Sequence, residues 1–558
     1  MPEPLIPLRQ SWPDAFVRRY RGAGYWRGET FPAFLRERAQ RLGARTAVVG
    51  SGQRWSYAEL WQRAETAAAG FLALGLSPGD RVVVQLGNVP AFYSVVFGLF
   101  RAGLVPVYAL PAHRITEIGH FMHKAQAAAY VALRSYEAYD YRLLARELVA
   151  RKEAGELPHF RQAVIVGGDA AEFADFDAFQ PDPSLLPNQD PDPQSVAFLQ
   201  ISGGSTGLSK LIPRTHDDYI YSFRASNEIC GIGEDSVYMV ALPAAHNFPM
   251  SSPGAMGAFY AGATVVLSPS PSPEAAFPLI AREKVTDLGL VPPLALLWAQ
   301  AAETTAHDLS SLRVLQVGGA KLTTEAARRV VAGLKCQLQQ VFGMAEGLVN
   351  YTRLDDPQEI VLNTQGRPIS PDDEVLIVDD HGQPVPEGQP GYLLTRGPYT
   401  IRGYHNDDAA NARSFTDDGF YRTGDVVLRT PEGYLNVQGR AHDHINRAGE
   451  KISAEEVEDH LLAHPQVFDV AVVSIPDEYL GERICAFVIP NAPRAGEDKP
   501  RGPALKAWMR ARGVAAYKIP DQIVFVEAFE TTAVGKTSRK ELRARLREEF
   551  LKAQPAQG

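Results

Sequence analysis

Short apolar runs alternate with helical patterns along most of the chain, and this alternation limits the possible folds more than any other feature. Apolar runs rich in β-branched residues predict strands at residues 81–86, 163–166, 195–200, 263–267 and 314–317. Helical patterns lie between or after them, at residues 137–153 and 325–334 among others. Strands that alternate with helices predict an α/β protein.

The chain is too long for a single hydrophobic core. Its 558 residues predict at least two domains. Beyond Gly439 the pattern changes to a compact α+β segment that ends in a basic helix near residues 539–552. We therefore expect a large N-terminal domain of several sheets at residues 1–439, and a small mobile C-terminal domain at residues 440–558.

Composition excludes several classes of partner. A net charge of −9 argues against a general nucleic-acid or anionic-membrane binder, because either would need a basic surface. The N-terminus has no signal-peptide pattern, and residues 92–110 read as a buried helix and strand rather than a membrane span. The three cysteines lie far apart without a CxxC pair, which predicts a cytoplasmic protein with neither disulfides nor a zinc site.

A glycine-rich segment after the strand at 195–200 predicts a phosphate-binding loop. Glycines let backbone N–H groups approach an anion, hydroxyls add donors and a lysine adds positive charge. The spacing differs from the Walker A motif, which disfavours a P-loop phosphotransferase. A glycine-rich turn without a chemical role is the alternative. The residues concerned are Ser202, Gly203, Gly204, Ser205, Thr206, Gly207 and Lys210.

Further motifs follow in order, and together the chain resembles the acyl-adenylating (AMP-forming) enzymes. The motifs are Leu242-Pro243-Ala244-Ala245-His246-Asn247, Gly318-Gly319-Ala320, Phe342-Gly343-Met344-Ala345-Glu346, Gly397-Pro398-Tyr399, Tyr421-Arg422-Thr423-Gly424-Asp425, Gly439-Arg440 and Gly535-Lys536. Long stretches are similar to the aryl-acid ligases of siderophore assembly, which act on 2,3-dihydroxybenzoate or salicylate. The resemblance implies that a carboxylate attacks the α-phosphorus of ATP, giving an acyl-adenylate and pyrophosphate.

The resemblance also implies the ATP site. Lys536 would stabilise the charge that develops on phosphorus, Asp425 would accept both ribose hydroxyls and Glu346 would bind Mg²⁺. Glu530 stands where a proline is common in the family, which bears on the shape of the Lys536 loop. The alternatives without a chemical role are that Lys536 is a solvated lysine, that Glu346 is a surface carboxylate and that the Phe342 ring only packs in the core. The remaining residues implied in ATP binding are Gly318, Gly319, Val341, Phe342, Ala345 and Arg440.

Substrate choice is implied by a second group of residues. Asn247 would bond the carboxylate and ortho-hydroxyl side of an aryl acid, where amino-acid-activating relatives carry an aspartate. Ser252 and Val349 would face the ring, in a combination that accompanies the 3-hydroxyl of dihydroxybenzoate, and Gly319 would line the same pocket. His246 would be a catalytic gate beside the carboxylate. Ser252 as a helix N-cap and His246 as a structural histidine are the alternatives.

The second half-reaction needs a thiol acceptor. By resemblance, Arg440, His442 and Asp443 form a hinge about which the small domain rotates, although relatives carry aspartate or lysine where His442 stands. Gly449 and Lys451 would line a tunnel for a phosphopantetheine arm, with a solvated turn as the alternative. The expected partner is an aryl carrier protein. Two other readings stay open: an acyl-CoA ligase, and a non-catalytic nucleotide-binding protein, against which the retained Lys536, Glu346 and Asp425 argue.

Overall fold

A computed structural model describes residues 12–202, 209–319, 321–322, 324–379, 381–440, 444–490 and 500–527, together with residues 548 and 552. Contacts divide the described chain into two units. The large unit contains most of the chain up to Gly439. The small unit contains the described residues from Arg440 onward, the segment Ala112–His120, Ser209 and Lys210. The predicted α/β class, with a large N-terminal and a small C-terminal domain, is confirmed.

Helices connect most of the strands. They are, in chain order, α1 (Asp14–Gly22), α2 (Phe31–Arg41), α3 (Tyr57–Ala73), α4 (Ala91–Arg101), α5 (Ile115–Lys124), α6 (Tyr141–Glu153), α7 (His216–Cys230), α8 (Asn247–Ser251), α9 (Gly254–Ala261), α10 (Pro273–Glu283), α11 (Pro292–Ala302), α12 (Thr324–Leu334), α13 (Gln358–Asn363), α14 (Asp408–Ser414), α15 (Ala454–Leu462) and α16 (Gly502–Ala511). No helix in the described part of the chain is long and apolar enough to cross a lipid bilayer.

The strands are short. They are, in chain order, β1 (Thr46–Gly50), β2 (Gln53–Ser56), β3 (Arg81–Gln85), β4 (Val105–Tyr108), β5 (Ala129–Leu133), β6 (Ser135–Tyr136), β7 (Tyr139–Asp140), β8 (Gln162–Val166), β9 (Ala174–Asp175), β10 (Val196–Ile201), β11 (Leu211–Thr215), β12 (Val237–Val240), β13 (Thr264–Leu267), β14 (Asp287–Leu290), β15 (Val314–Val317), β16 (Gln337–Met344), β17 (Gly347–Tyr351), β18 (Arg367–Pro368), β19 (Glu374–Val378), β20 (Gly391–Arg396), β21 (Tyr421–Arg429), β22 (Leu435–Arg440), β23 (His444–Arg447), β24 (Glu450–Ser453), β25 (Val467–Asp477), β26 (Gly481–Pro490) and β27 (Gln522–Phe525).

Two mostly parallel sheets form the body of the large unit. Within the described residues, one has the order β18-β17-β16-β15-β14-β12-β13-β1-β2 and the other β11-β10-β4-β3-β5-β8-β9. In the first sheet, β16, β15, β14, β12, β13 and β1 run parallel to one another. All four residues of β14 and of β15 are buried, as expected for parallel strands covered on both faces, and each strand contains one buried polar residue, Asp287 and Gln316 respectively.

Local signals fix the ends of α7, the helix that later orients the candidate site. The Thr215 side chain accepts the Asp218 N–H, and the Asp218 carboxylate accepts the Thr215 N–H in return, which is a capping box. Gly231 ends the helix in the left-handed region at φ 68°, where glycine is unstrained. The start of α7 is therefore encoded locally, by Thr215 and Asp218, which are three positions apart.

One predicted helix begins later than its sequence pattern indicates. The pattern predicts a helix over residues 137–153, but α6 begins at Tyr141. Glu137 and Ala138 have φ values of 48° and 64°, and they form the turn between β6 and β7. The Asp140 carboxylate then accepts the Arg142 N–H and caps α6. The hairpin and this cap exclude the first four residues from the helix.

The small unit has its own sheet, β24-β23-β26-β25, with β27 paired to β26. Residues of this sheet pack with α15 and α16 around a separate apolar core. Strands β23 and β24 are joined by Ala448 and Gly449, both with positive φ, at 51° and 91°. Positive φ at both turn positions matches the right-handed twist of a tight hairpin. The predicted basic helix at 539–552 lies outside the described residues except for Glu548 and Lys552.

Candidate active site

Eight of the sequence-predicted site residues lie at or follow the carboxyl ends of parallel strands in the first sheet. His246 and Asn247 come after β12, and Gly318 and Gly319 come directly after β15. Val341 and Phe342 lie within β16, and Ala345 and Glu346 follow its end. In open α/β sheets the crevice outside the carboxyl ends of the strands is the usual ligand site. The sheet thus brings these residues to one edge.

Phe248, in the short helix α8, packs against that edge of the sheet. A Cβ atom on Gly318 would lie 3.3 Å from Phe248 Cζ and 2.9 Å from the Val341 carbonyl oxygen. A Cβ atom on Gly289, in β14, would lie 3.2 Å from the same Cζ. Glycine at both positions therefore lets the Phe248 ring pack directly on the sheet. The neighbouring Asn247 is held at the strand ends as a result.

Hydrogen bonds define the position of the Asn247 side chain. The Tyr219 hydroxyl donates to Asn247 Oδ1 at 2.8 Å, from helix α7. His246 Nδ1 accepts the Phe248 N–H at 3.3 Å and so caps α8. His246 therefore has a structural role as the cap of α8, and its role as a gate beside the carboxylate stays a prediction.

Ser252 and Val349 are both buried. Ser252 is 4% exposed and lies at the end of α8, while Pro253 precedes the first residue of α9. The alternative in which Ser252 caps the following helix is thus wrong. Val349, in β17, is 3% exposed. Phe248, Val341 and Val349 belong to the same apolar cluster, which joins the predicted ring-facing position Val349 to the strand ends.

The Tyr399 side chain holds the main chain of Val349 by a hydrogen bond. The Tyr399 hydroxyl accepts the Val349 N–H at 3.1 Å and donates to Asp373 Oδ2 at 2.6 Å. The Val349 carbonyl accepts the Ile369 N–H at 3.0 Å, immediately beyond the short strand β18. A tyrosine side chain therefore satisfies the N–H that a longer neighbouring strand would otherwise bond.

Glu346 is buried beside two tyrosines. The Tyr404 hydroxyl donates to Glu346 Oε1 at 2.9 Å and lies 3.1 Å from the Tyr421 hydroxyl. No described residue bonds Glu346 Oε2, and no cluster of three or more metal-binding side chains occurs among the described residues. The carboxylate fits a hard divalent cation, provided that phosphate oxygens and water supply the other ligands.

The ribose- and adenine-binding candidates lie in different sheets, Asp425 in the four-stranded sheet β19-β20-β21-β22 and Phe342 in the first sheet. Asp425, in β21, is 4% exposed, and its N–H bonds the Thr423 hydroxyl at 3.0 Å. Phe342 is partly buried against the cluster that contains Tyr421. Gly319 has φ 84°, a conformation that favours glycine, and Ser202 is buried at the end of β10.

Several predicted residues are not placed by the structure. Gly203, Gly204, Ser205, Thr206, Gly207, His442, Asp443 and Lys536 lie outside the described residues. Of Arg440 and Lys451 only the backbone is described, in β22 and β24. Lys210, Gly449 and Lys451 belong to the small unit. Their roles stay predictions.

Comparison with known proteins identifies the family. The family model described as "AMP-binding enzyme" matches residues 35–405, and the one described as "AMP-binding enzyme C-terminal domain" matches residues 456–536. The chain belongs to the AMP-binding enzyme family. The resemblance drawn from its motifs is confirmed.

Individual AMP-binding enzymes match over nearly their whole length. A 2,3-dihydroxybenzoate-AMP ligase from Bacillus subtilis is 56% identical, over 97% of this chain and 98% of its own. A vibriobactin-specific 2,3-dihydroxybenzoate-AMP ligase from Vibrio cholerae is 51% identical, over 96% and 97%. The apo structure of Mycobacterium smegmatis MbtA is 48% identical, has a TM-score of 0.74, and covers 96% of this chain and 98% of its own.

Four residues that shape this candidate site were not predicted to act there. Tyr219, Phe248 and Gly289 stand outside the family motifs, and only tertiary contact joins them to Asn247 and Gly318. Tyr399 ends the motif Gly397-Pro398-Tyr399, so its motif was a signal, although its contact with Val349 was not foreseen.

Asp373 gives a testable pH dependence. Burial raises the pKa of Asp373 to about 7, although the Tyr399 hydroxyl and the Ser370 N–H lower it. Between its ordinary pKa of 3.8 and about 7, the folded protein keeps a proton that the unfolded chain releases. The stability contributed by the neutral carboxyl is thus lost as pH rises through 7. We expect the Asp373→Asn variant to gain in urea midpoint relative to wild type between pH 5 and pH 8.

The matched control is Asp379→Asn. Backbone N–H groups of Gln383 and His381 lower the pKa of Asp379, so this carboxylate stays ionised throughout the same pH range. Its effect on the urea midpoint should therefore be constant from pH 5 to pH 8. A constant difference between wild type and Asp373→Asn would contradict the titration of Asp373.

Proposed function

We propose that this AMP-binding enzyme activates an aryl acid with ATP and then transfers the aryl group to the phosphopantetheine thiol of an aryl carrier protein, in siderophore biosynthesis. The observation that carries the proposal is the half-buried Asn247 amide at the strand ends, held by the Tyr219 hydroxyl. A neutral amide suits an acid without an α-ammonium group. The aryl-acid names of the full-length relatives support the same substrate class.

In the first half-reaction a carboxylate oxygen of the acid attacks the α-phosphorus of ATP. The new P–O bond forms as the bond to the β-phosphate oxygen breaks, and pyrophosphate leaves with that electron pair. Lys536 stabilises the developing negative charge, while the loop from Ser202 to Lys210 binds the phosphates. Asp425 binds the ribose hydroxyls. The adenine ring lies among Gly318, Gly319, Val341, Phe342 and Ala345.

Glu346 is the proposed Mg²⁺ ligand. Mg²⁺, when bound, offsets phosphate charge, and its preference for oxygen ligands matches the buried carboxylate. The Tyr404 hydroxyl holds one of the two carboxylate oxygens and leaves the other available to a cation. Tyr404 thereby orients Glu346 without neutralising it.

For the second half-reaction, the small domain rotates about a hinge at the domain boundary near Arg440. Arg440, which is also proposed to contact ATP, lies in this hinge with His442 and Asp443. Rotation withdraws Lys536 and brings in the β23–β24 hairpin, where Gly449 in the turn and Lys451 in β24 line the phosphopantetheine tunnel. Gly449 has φ 91° in the tight turn between β23 and β24, a conformation that favours glycine. Thiol attack on the adenylate then forms the thioester and releases AMP.

The first test is ATP–pyrophosphate exchange with 2,3-dihydroxybenzoate, salicylate, benzoate, amino acids and a fatty acid. Exchange strongest with dihydroxybenzoate supports the proposal. Exchange only with an aliphatic or amino acid would contradict the role of Asn247, and no exchange with any acid would favour a non-catalytic nucleotide-binding protein. Thioester formation on coenzyme A without a carrier would identify a CoA ligase instead.

Ser252 is expected to favour dihydroxybenzoate over salicylate. Its buried hydroxyl would pair with the 3-hydroxyl group, and losing such a bond costs about 1–3 kcal/mol. The Ser252→Ala variant should therefore lower the ratio of kcat/KM for dihydroxybenzoate to that for salicylate by roughly tenfold. An equal fall for both acids would mean that Ser252 acts on folding alone.

A further inference from the structure

The side-chain amide of Asn247 has a hydrogen-bond partner at its oxygen, whereas its nitrogen is available to a ligand. Its Oδ1 accepts the Tyr219 hydroxyl at 2.8 Å, and no described residue accepts a hydrogen bond from its Nδ2. An amide can rotate by 180° and exchange the positions of oxygen and nitrogen, so its orientation depends on its partner. Here that partner is a single hydroxyl, which is able in principle to donate or to accept.

Two features of its surroundings favour the Tyr219 hydroxyl as the donor. The buried Arg214 guanidinium lies over the Tyr219 ring, 4.8 Å from its centroid. A cation at this position draws electron density from the ring and makes the phenolic O–H a stronger donor. Burial raises the pKa of Tyr219 well above its usual value, while Ser251 and Arg214 lower it, so the hydroxyl keeps the proton that it donates. The acceptor on Asn247 is therefore its oxygen.

We propose that Tyr219 is a positioning residue that locks the Asn247 amide with Nδ2 facing the acid, so that the pocket selects an ortho substituent able to accept a hydrogen bond. The inference rests on the proposed binding of an aryl acid by Asn247. Tyr219 itself lies behind Asn247, and it acts on specificity through the orientation of the amide.

The selection follows from the lone pairs of the ortho group. An ortho-hydroxyl donates its hydrogen to the neighbouring carboxylate and keeps a lone pair that accepts from Nδ2. An ortho-amino group donates one hydrogen to the carboxylate, but its second N–H then faces another donor. Its lone pair is delocalised into the ring. An unmade buried hydrogen bond costs about 1–3 kcal/mol, so salicylate should exceed 2-aminobenzoate in kcat/KM by at least tenfold.

The test compares Tyr219→Phe with Tyr221→Phe in ATP–pyrophosphate exchange. Without the Tyr219 hydroxyl the amide can rotate and offer Oδ1, which accepts from an amine. We expect the salicylate to 2-aminobenzoate ratio of kcat/KM to fall about tenfold in Tyr219→Phe. Tyr221, two residues further along α7, is the matched control because its hydroxyl bonds Ser370 instead, at 2.7 Å. Tyr221→Phe should keep the wild-type ratio.

A loss of folding alone cannot produce the expected result, because it lowers exchange with both acids equally. An unchanged ratio in Tyr219→Phe, or an equal fall of the ratio in Tyr221→Phe, overturns the inference. Equal use of the two acids by wild type overturns it as well. In each of these cases wild-type exchange with aryl acids leaves the proposed function standing. Wild type without exchange on any aryl acid overturns both.

Discussion

A Lys536→Ala variant should lose ATP–pyrophosphate exchange by about a hundredfold to a thousandfold, the usual effect of removing one group that stabilises a charged transition state. In the proposed mechanism, the Lys536 ammonium carries the charge that offsets the negative charge developing on the α-phosphorus. No protein nucleophile takes part, so positioning and charge carry the catalysis. The measurement is exchange at saturating ATP with 2,3-dihydroxybenzoate.

Two comparisons separate this role from a general effect of charge. Lys540 lies four residues further along the same basic segment, and Lys540→Ala should keep exchange near the wild-type rate. Lys536→Ala should also still transfer an aryl group from chemically prepared adenylate to the carrier thiol, because that step does not use Lys536. Equal losses in Lys536→Ala and Lys540→Ala would show that only the charge of the segment matters.

An Arg214→Met variant should be less stable than wild type by about 3–5 kcal/mol, because removing one partner of a buried ion pair leaves a buried charge uncompensated. The side chains of Arg214 and Asp218 are 2% and 0% exposed, and their N–O distance is 2.8 Å. Arg214 also donates to the Ala345 carbonyl at 2.7 Å, next to Glu346. The urea midpoint of unfolding measures the effect.

The exposed pair Arg146–Glu172 is the matched control. Its side chains are 47% and 52% exposed, and solvent screens such a pair so strongly that it adds little to stability. Arg146→Met should therefore barely move the midpoint. Adding Asp218→Asn to Arg214→Met should recover part of the loss, since it removes the uncompensated charge. Equal midpoints for Arg214→Met and Arg146→Met would contradict the importance of burial.

Strand positions were predictable because burial on both faces requires short, mostly apolar runs in the sequence. The run at 314–317 coincides with β15, and the run at 81–86 contains β3. The start of α6 was not predictable from helical periodicity, because a hairpin turn with positive φ at Glu137 and Ala138 precedes it. Alanine at positive φ carries no sequence signal.

The residues of the candidate site also fall into two groups, those that sequence motifs predict and those that only tertiary contacts reveal. Motif residues such as Asn247 and Asp425 were found because their chemical types recur in a recognisable order. Tyr219 is 28 residues from Asn247 and Tyr399 is 50 residues from Val349, and no local pattern connects either pair. Such contacts depend on how helices and sheets pack, which the motifs do not encode.

The bond between the Tyr399 hydroxyl and the Val349 N–H has a consequence for the evolution of substrate range. It holds the main chain of Val349, so it does not depend on which side chain this position carries. In the proposed acid pocket, a mutation at position 349 that keeps the N–H would reshape the wall while the strand stays anchored. We therefore expect new acids to become accessible through single substitutions at this position, without a compensating change elsewhere in the sheet.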